Sequence, residues 1–94
     1  MVEVTVRLPR LLAGFLNGAT SVVVPAETLG GVLDELVRRH PVLKVHLFDE
    51  TGALRRHVLC FHNEENTRWL ATLDRPVAPG DEVTIIQAVS GGGV

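Results

Sequence analysis

The sequence is poor in cysteine, with Cys60 as the only one among 94 residues. An intrachain disulfide is therefore excluded, and so are a redox Cys-Xaa-Xaa-Cys motif and a cysteine-rich zinc site. Cys60 stands among apolar residues, without an obvious cationic neighbour that would activate its thiolate. We expect a buried structural cysteine rather than a nucleophile or a sulfur donor.

An excess of charge and long apolar runs are also lacking. The formal net charge is −2, so the charge balance does not predict nucleic acid or an anionic membrane as a partner. Residues 1–4 lack the basic and apolar regions of a signal peptide, and no run approaches the roughly 18 apolar residues of a membrane-spanning helix. We therefore expect a cytoplasmic protein of one domain, in which 46% hydrophobic residues supply a single core.

The histidines do not form a recognisable metal site. His40, His46, His57 and His62 are scattered along the chain. No two of them have the i, i+4 helical spacing or the accompanying carboxylate of a zinc site. We expect these side chains at the surface or at sheet edges, and we expect no bound metal.

Apolar periodicity in the first half predicts a hairpin followed by a helix. Val2–Leu8 alternates apolar and polar residues, and the β-branched stretch Thr20–Val24 returns after a loop region at Gly14–Gly18. The two strands are therefore predicted to pair antiparallel. Thr28 then provides an N-cap, and apolar residues recur at helical spacing up to a predicted helix end near residues 39–40.

The second half predicts two further strands and a brief return strand at Thr67-Arg68 that closes a short edge hairpin. Val42–Phe48 is typical of a short helical turn and loop, and a strand at 57–62 leads into the polar turn Asn63–Asn66. Glu82–Val89 is the strongest strand pattern in the chain. Strands on both sides of one helix predict an α+β domain: a mixed sheet of about four to five strands with one main helix packed on one face.

Glycine dominates the residues that follow this last predicted strand, Ser90-Gly91-Gly92-Gly93-Val94. Glycine lacks a Cβ, so its backbone can enter a slot too narrow for other residues. A frayed terminus is the alternative, because glycine-rich chain ends are commonly flexible. A phosphate-binding loop is not predicted, since neither a Lys-Ser/Thr pair nor a helix follows. We predict a folded domain at 1–89 and a flexible tail at 90–94.

Several short stretches, in a fixed order, resemble one protein family. They are Val2–Pro9, Thr28-Leu29-Gly30 with Val32-Leu33 and Leu36, Val58–Arg68 around Asn63-Glu64-Glu65, and Gly80–Ile85 followed by Ala88–Gly92. The ordered set covers nearly the whole chain and resembles the sulfur carriers of the ThiS, MoaD and CysO group, most of all the CysO branch. The resemblance implies the ubiquitin-like β-grasp fold.

The resemblance also implies that the chain is a protein substrate and not an enzyme. By this likeness, an E1-like enzyme uses ATP to adenylate the C-terminal glycine carboxylate, and a sulfur source converts the adenylate into a thiocarboxylate. Sulfur then passes to an acceptor on a second biosynthetic enzyme. A confined channel that excludes water explains the need for Gly91, Gly92 and Gly93. The carrier itself would bind no cofactor and contribute no catalytic side chain.

The sequence departs from the family pattern at its last residues. The family's mature form ends at the second glycine, whereas Gly93 and Val94 follow here. We expect Val94 to block activation until it is removed, as a JAMM-type zinc protease does for some relatives, which leaves Gly92 or Gly93 as the acyl terminus. Two other functions stay open: a non-catalytic β-grasp interaction module with a blocked tail, and a ubiquitin-like modifier joined to lysines.

Alternation along two predicted strands places an apolar surface beside the tail. If Val58 and Cys60 face the core, Leu59 and Phe61 face outward. Ile86 faces outward on the last strand by the same rule. Because exposed apolar patches commonly mark partner sites, these three residues are the predicted docking surface; a register shift of one residue would place them in the core instead. A carrier that visits several enzymes is expected to be a monomer.

Overall fold

The computed structural model describes residues 1–70 and 72–87, apart from the side chain of Trp69. The strands are β1 (Val2–Arg7), β2 (Ser21–Ala26), β3 (Val58–His62), β4 (Glu65–Asn66) and β5 (Glu82–Gln87); the helices are α1 (Leu29–Arg39) and α2 (Val42–Leu47), and 3₁₀ helices span Arg10–Leu16 and Thr67–Trp69. The predicted tail at 90–94 lies outside the described residues, as do the last two residues of the predicted final strand, 88 and 89.

The strands form one mixed sheet in the order β2-β1-β5-β3-β4. β1 pairs antiparallel with β2, from Val2 opposite Ala26 to Arg7 opposite Ser21, and pairs parallel with β5. β3 pairs antiparallel with β5 and with the short β4. This five-stranded sheet, with α1 on one face, confirms the predicted α+β architecture. The last described strand, β5, occupies the centre of the sheet.

The core lies between α1 and the inward face of the sheet. Leu29, Val32, Leu33 and Leu36 are at most 3% exposed, because their spacing puts them on one stripe of the helix. The sheet contributes the inward residues of four strands, namely Val4, Val6, Val24, Ala26, Val58, Cys60, Val83 and Ile85. Each of these alternates along its strand with a more exposed residue, as the two-residue period of a strand requires.

The first turn of α1 packs closely against the segment that precedes β5. The N–H of Gly30 donates to the carbonyl oxygen of Leu73 at 2.8 Å, and the N–H of Leu29 donates to that of Arg75 at 2.9 Å. A Cβ at position 30 would lie 3.4 Å from the Leu73 oxygen, an ordinary van der Waals contact, so the helix and this segment are in close contact here. The two bonds satisfy helix donors that have no partner within the helix.

Replacing Thr28 with alanine should lower the free energy of unfolding by about 1 kcal/mol. Thr28 is the N-cap of α1, and its Oγ1 accepts a hydrogen bond from the N–H of Gly31 at 3.1 Å. Urea unfolding followed by circular dichroism measures the change, and Thr28→Ser, which keeps the acceptor, is the control. A Thr28→Ala protein as stable as the wild type would mean that the contacts to segment 73–75 alone hold this helix end.

The connection between β1 and β2 differs from the predicted loop at Gly14–Gly18, because Arg10–Leu16 forms a 3₁₀ helix. Leu12, within this helix, is 2% exposed and packs into the hydrophobic core. The Phe15 ring packs on the His46 ring of α2, with the two ring centroids 4.6 Å apart. These tertiary contacts stabilise a short helix that local propensity alone does not favour.

The return strand β4 lies at Glu65–Asn66 and not at the predicted Thr67-Arg68, which belongs to a 3₁₀ helix. The turn after β3 is therefore tighter than the predicted turn over Asn63–Asn66. Glu65 and Asn66 already pair with β3, which leaves Asn63 and Glu64 as the turn. Asn63 has a φ of 56°, in the left-handed region that asparagine tolerates better than most residues. The short turn fixes the position of Asn63, which contacts the start of β5.

The helices are short. Among the described residues, no helix is long and apolar enough to cross a membrane. α1 has 11 residues, whereas a spanning helix needs about 20.

Candidate functional site

The outward face of β3 and β5 carries three apolar side chains, Leu59, Phe61 and Ile86, which we call the outer patch. Leu59 lies directly opposite Ile86 in the antiparallel pairing, and Phe61 lies opposite Thr84. Ile86 is 42% exposed, and the other two are half-buried, whereas the alternate residues of β3 are buried. Side chains directly opposite on neighbouring strands are in contact range. The three therefore form one surface on the face away from α1.

The outer patch lies near the C-terminal end of β5, whose last described residue is Gln87. Gln87, the last residue of β5, is opposite Val58 at the start of β3, and Ile86 immediately precedes it. Residues that follow position 87 therefore begin next to the patch. The predicted tail residues Gly91, Gly92 and Gly93 and the predicted cleavage residue Val94 lie outside the described residues.

A polar strip on the same face borders the patch. The Arg7 guanidinium donates two hydrogen bonds to the Glu82 carboxylate, from Nε and from Nη2, each at 3.1 Å. This hydrogen bonding holds the pKa of Glu82 below its usual range. Arg7 lies on β1 as the register partner of Thr84, and Glu82 lies on β5, four residues before Ile86, so the ion pair gives the patch a charged edge.

The start of β5 is held by hydrogen bonds to Asp81. Its Oδ2 accepts from the backbone N–H of Ala78 at 2.9 Å and from His62 Nε2 at 2.8 Å, and its Oδ1 accepts from Asn63 Nδ2 at 3.3 Å. These bonds, the one from Ala78 first, lower the pKa of Asp81 from its ordinary 3.8 to about 2. Asp81 therefore ties the β3–β4 turn to the entry of β5 and aligns the two strands that carry the outer patch.

The position of His62 corrects the prediction that all the histidines lie at the surface or at sheet edges. His62 is 7% exposed and occupies the third inward position of β3, after Val58 and Cys60. A polar side chain buried at an inward position needs a hydrogen-bond partner, which Asp81 provides for His62. Within the described residues, Nδ1 of the same ring has no hydrogen-bond partner.

Replacing Asp81 with asparagine should lower the free energy of unfolding at neutral pH by about 1–3 kcal/mol, because a charge-assisted set of hydrogen bonds is lost. The folded pKa of Asp81 lies below its ordinary value, so its contribution is present above about pH 4 and is lost as the pH falls toward about 2. Urea unfolding at a series of pH values should show a smaller acid-induced loss in the variant.

Glu35 requires a control in that experiment. Hydrogen bonds from Arg38 and Arg39 lower its pKa from 4.5 to about 2, so it titrates over the same range. The comparison is therefore made in a Glu35→Gln background. An acid dependence that Asp81→Asn leaves unchanged would contradict the assignment.

The chain is similar to known proteins over nearly its whole length. It is 36% identical to the sulfur carrier protein CysO of Mycobacterium tuberculosis over 92 residues, which are 96% of this chain and 99% of that protein. The model of the ThiS family matches residues 9–92. The chain belongs to the ThiS family.

Solved structures of relatives have the same fold as this ThiS-family chain. CysO of Mycobacterium tuberculosis superposes with a TM-score of 0.80 at 35% identity, covering 92% of this chain and 99% of that one. A chain of the BexX/CysO complex of Amycolatopsis orientalis gives 0.81 at 34%, covering 95% and 99%. SAMP1 of Haloferax volcanii gives 0.78 at 33%, covering 96% and 99%. The ubiquitin-like β-grasp fold is thereby confirmed.

The ThiS-family match extends into the glycine-rich segment. It ends at residue 92, so it includes Gly91 and Gly92 and leaves out Gly93 and Val94. The two residues outside the match, Gly93 and Val94, are the same two that follow the Gly91-Gly92 pair in this sequence.

Cys60 is not activated in this ThiS-family chain. It is 1% exposed, and burial raises the pKa of its thiol to about 11, against the opposing effect of a hydrogen bond with Thr67. The thiolate is therefore scarce at neutral pH. In residues 1–70 and 72–87, no group of three or more His, Cys, Asp or Glu side chains could hold a metal ion. The described site is therefore an exposed apolar patch beside Gln87, the last described residue of β5.

Proposed function

We propose that this chain is a sulfur carrier, a protein substrate whose C-terminal glycine is activated by a separate E1-like enzyme and then converted into a thiocarboxylate. The observation that carries the proposal is the similarity to the sulfur carrier CysO across 96% of the chain, together with a family match that reaches Gly92. The carrier would donate its sulfur to an acceptor held by a second biosynthetic enzyme.

Adenylation and thiocarboxylate formation require no catalytic side chain from the carrier. The glycine carboxylate attacks the α-phosphorus of ATP, pyrophosphate leaves, and an acyl adenylate forms. A sulfur nucleophile supplied by the partner then displaces AMP. ATP is bound by the activating enzyme, and the carrier holds no cofactor of its own. The buried Cys60 thiol fits this division of roles, because the described part of the chain offers it no access to an acyl group.

The outer patch supports docking of such partners. A relative is known in a complex, that of BexX and CysO from Amycolatopsis orientalis. Leu59, Phe61 and Ile86 lie beside the exit of the chain from β5, so a partner that receives the tail would cover them. The carrier is proposed to act as a monomer in the cytoplasm, where ATP for its activation is available.

Val94 is proposed to be removed before activation, by a JAMM-type zinc protease. Either Gly92 or Gly93 then bears the reactive carboxylate. Three versions of the chain, ending at Gly92, Gly93 and Val94, should be incubated with an E1-like enzyme, ATP and sulfide. We expect pyrophosphate release and the mass increase of an oxygen-to-sulfur exchange for one glycine-ended version, and neither for the version ending at Val94.

The intact mass of the protein from its native host provides the companion measurement. A trimmed chain that carries sulfur would identify the natural terminus. A uniformly full-length population, with no activation of any glycine-ended version, would instead favour a non-catalytic interaction module with a blocked tail.

Protein modification is the second candidate function. It is favoured by 38% identity to the small archaeal modifier protein 1 of Haloferax volcanii over 69% of this chain. Under this function, a lysine amine rather than a sulfur nucleophile attacks the activated glycine and forms an isopeptide bond. A ladder of conjugates on an immunoblot, abolished by deletion of the glycines, would support it; a pure sulfur donor gives none.

A further inference from the structure

A cavity of about 310 Å³ opens beside the first residues of β3. β4 pairs with β3 only at Phe61 and His62, so it leaves the outer side of the first half of β3 uncovered. Phe48, Leu54 and Leu73 line the cavity and give it an apolar lining. Its size suits one or two side chains of a partner.

Three arginines stand around this cavity, namely Arg55, Arg56 and Arg68. Arg55 is anchored, because its Nε donates to the carbonyl oxygen of Val45 at 2.9 Å. Arg56 and Arg68 are exposed, and Nη2 of Arg68 lies 3.4 Å from the carbonyl oxygen of Arg56. The cavity therefore combines an apolar lining with a positively charged rim.

The charge of this rim is not neutralised by the described part of the chain. Four arginines elsewhere lie within salt-bridge distance of a carboxylate, namely Arg7, Arg38, Arg39 and Arg75. Among the described residues, no carboxylate lies that close to the rim arginines. Asp49 adds a weak attraction to Arg55, but its Oδ1 accepts hydrogen bonds from Thr51. In a chain of formal net charge −2, this is a local concentration of positive charge.

The cavity adjoins the outer patch and lies one strand away from Gln87, the last described residue of β5. Leu59 belongs to the outer patch and also lines the cavity. Val58, another lining residue, is the register partner of Gln87, and neighbouring strands lie about 4.8 Å apart. A partner that covers the outer patch and receives the chain end would therefore also face the arginine rim.

We infer that the cavity receives an acidic segment of the activating enzyme, with an apolar side chain in the cavity and carboxylates against Arg56 and Arg68. This inference rests on the proposed function and names the chemistry of the partner surface. In this interface the outer patch would supply the buried apolar area, and the arginine rim would attract and orient the acidic partner. Exposed charges at the edge of an interface act mainly on the rate of association and on its salt dependence.

The test compares activation of the glycine-ended wild-type chain with that of R56E, R68E and the double variant. Pyrophosphate release gives KM and kcat. We expect the double variant to raise KM about tenfold with kcat unchanged. The difference should shrink in about 0.5 M salt, because the Debye length falls to a few ångströms. R38E makes the same charge change at a side chain that is 68% exposed on α1, and its KM should stay within about twofold of wild type.

The outcomes separate the inference from the function on which it rests. A wild-type chain that is not activated overturns both. Normal activation with a KM of the double variant equal to that of R38E overturns the acidic partner and leaves the sulfur-carrier function standing. A KM increase that is the same at every salt concentration also overturns it, because the effect would not be electrostatic.

The chain's own tail is the competing occupant. Amide NMR shifts of Ala53 and Thr67, which line the cavity, are compared between the full chain and a chain that lacks residues 90–94. Unchanged shifts support an external partner. Shifts that move on removal of the tail would show that the tail fills the cavity, and the inference would fail.

Discussion

Replacing Ile86 with aspartate should reduce kcat/KM for activation of the glycine-ended chain by about 100-fold, the loss expected when a charge is put into the centre of a docking surface. Ile86 is 42% exposed and faces outward opposite Leu59. Its replacement should lower the free energy of unfolding by only about 1 kcal/mol, because a half-exposed strand position on the outward face contributes little to the core. Pyrophosphate release and urea unfolding measure the two effects.

Val23→Asp is the matched control. Val23 is 51% exposed on the same outward face, but on β2, which is separated from β5 by β1. The substitution is the same change of apolar to acidic side chain, and we expect activation to stay within about twofold of wild type. Equal losses in the two variants would contradict the outer patch as the docking surface.

Replacing Leu36 with alanine should have the largest effect on stability, a loss of about 2–5 kcal/mol in the free energy of unfolding. Leu36 is fully buried between α1 and the sheet, so truncation removes apolar contacts and leaves a cavity. For a chain of this size, a loss of that order lowers the melting temperature by roughly 10–40 °C. Urea and thermal unfolding, monitored by circular dichroism, measure it.

Leu11→Ala removes the same atoms at a position that is 69% exposed. Its free energy of unfolding should stay within about 0.5 kcal/mol of wild type. If the two alanine variants were equally stable, the packing of α1 on the sheet would not be the main source of stability. If Leu36→Ala does not fold, Leu36→Val, with a smaller cavity, gives a measurable intermediate loss.

The predictions that proved right rest on local and periodic signals. Thr28 caps α1 through Gly31, as its position before an apolar period of 3.6 predicts. Alternation gave the faces of β3, where Val58 and Cys60 are buried and Leu59 is half-buried. Such patterns are visible in one sequence because they depend on neighbours three or fewer positions away, or on a fixed period.

The features that sequence reasoning missed depend on residues far apart in the chain. His62 lies on the inward phase of β3, which could have indicated a buried position, but its partner Asp81 is 19 positions away. The 3₁₀ helix at Arg10–Leu16 forms around contacts to α2, such as that of Phe15 with His46, which no local period reports. Likewise, Arg56 and Arg68 are 12 positions apart and become neighbours only because the chain turns back after β3.

The central position of β5 governs when the domain can assemble during synthesis. The β1–β2 hairpin and the β3–β4 hairpin lie on either side of β5, and in the described sheet they are joined through it. A nascent chain can form each hairpin, but it cannot unite them until residues 82–87 have left the ribosome. A product that stops short of β5 should remain unfolded and be open to proteolysis. Proteolysis of unfolded products would therefore remove chains whose synthesis stops before β5, so the surviving chains are those extended nearly to the glycines at 91–93.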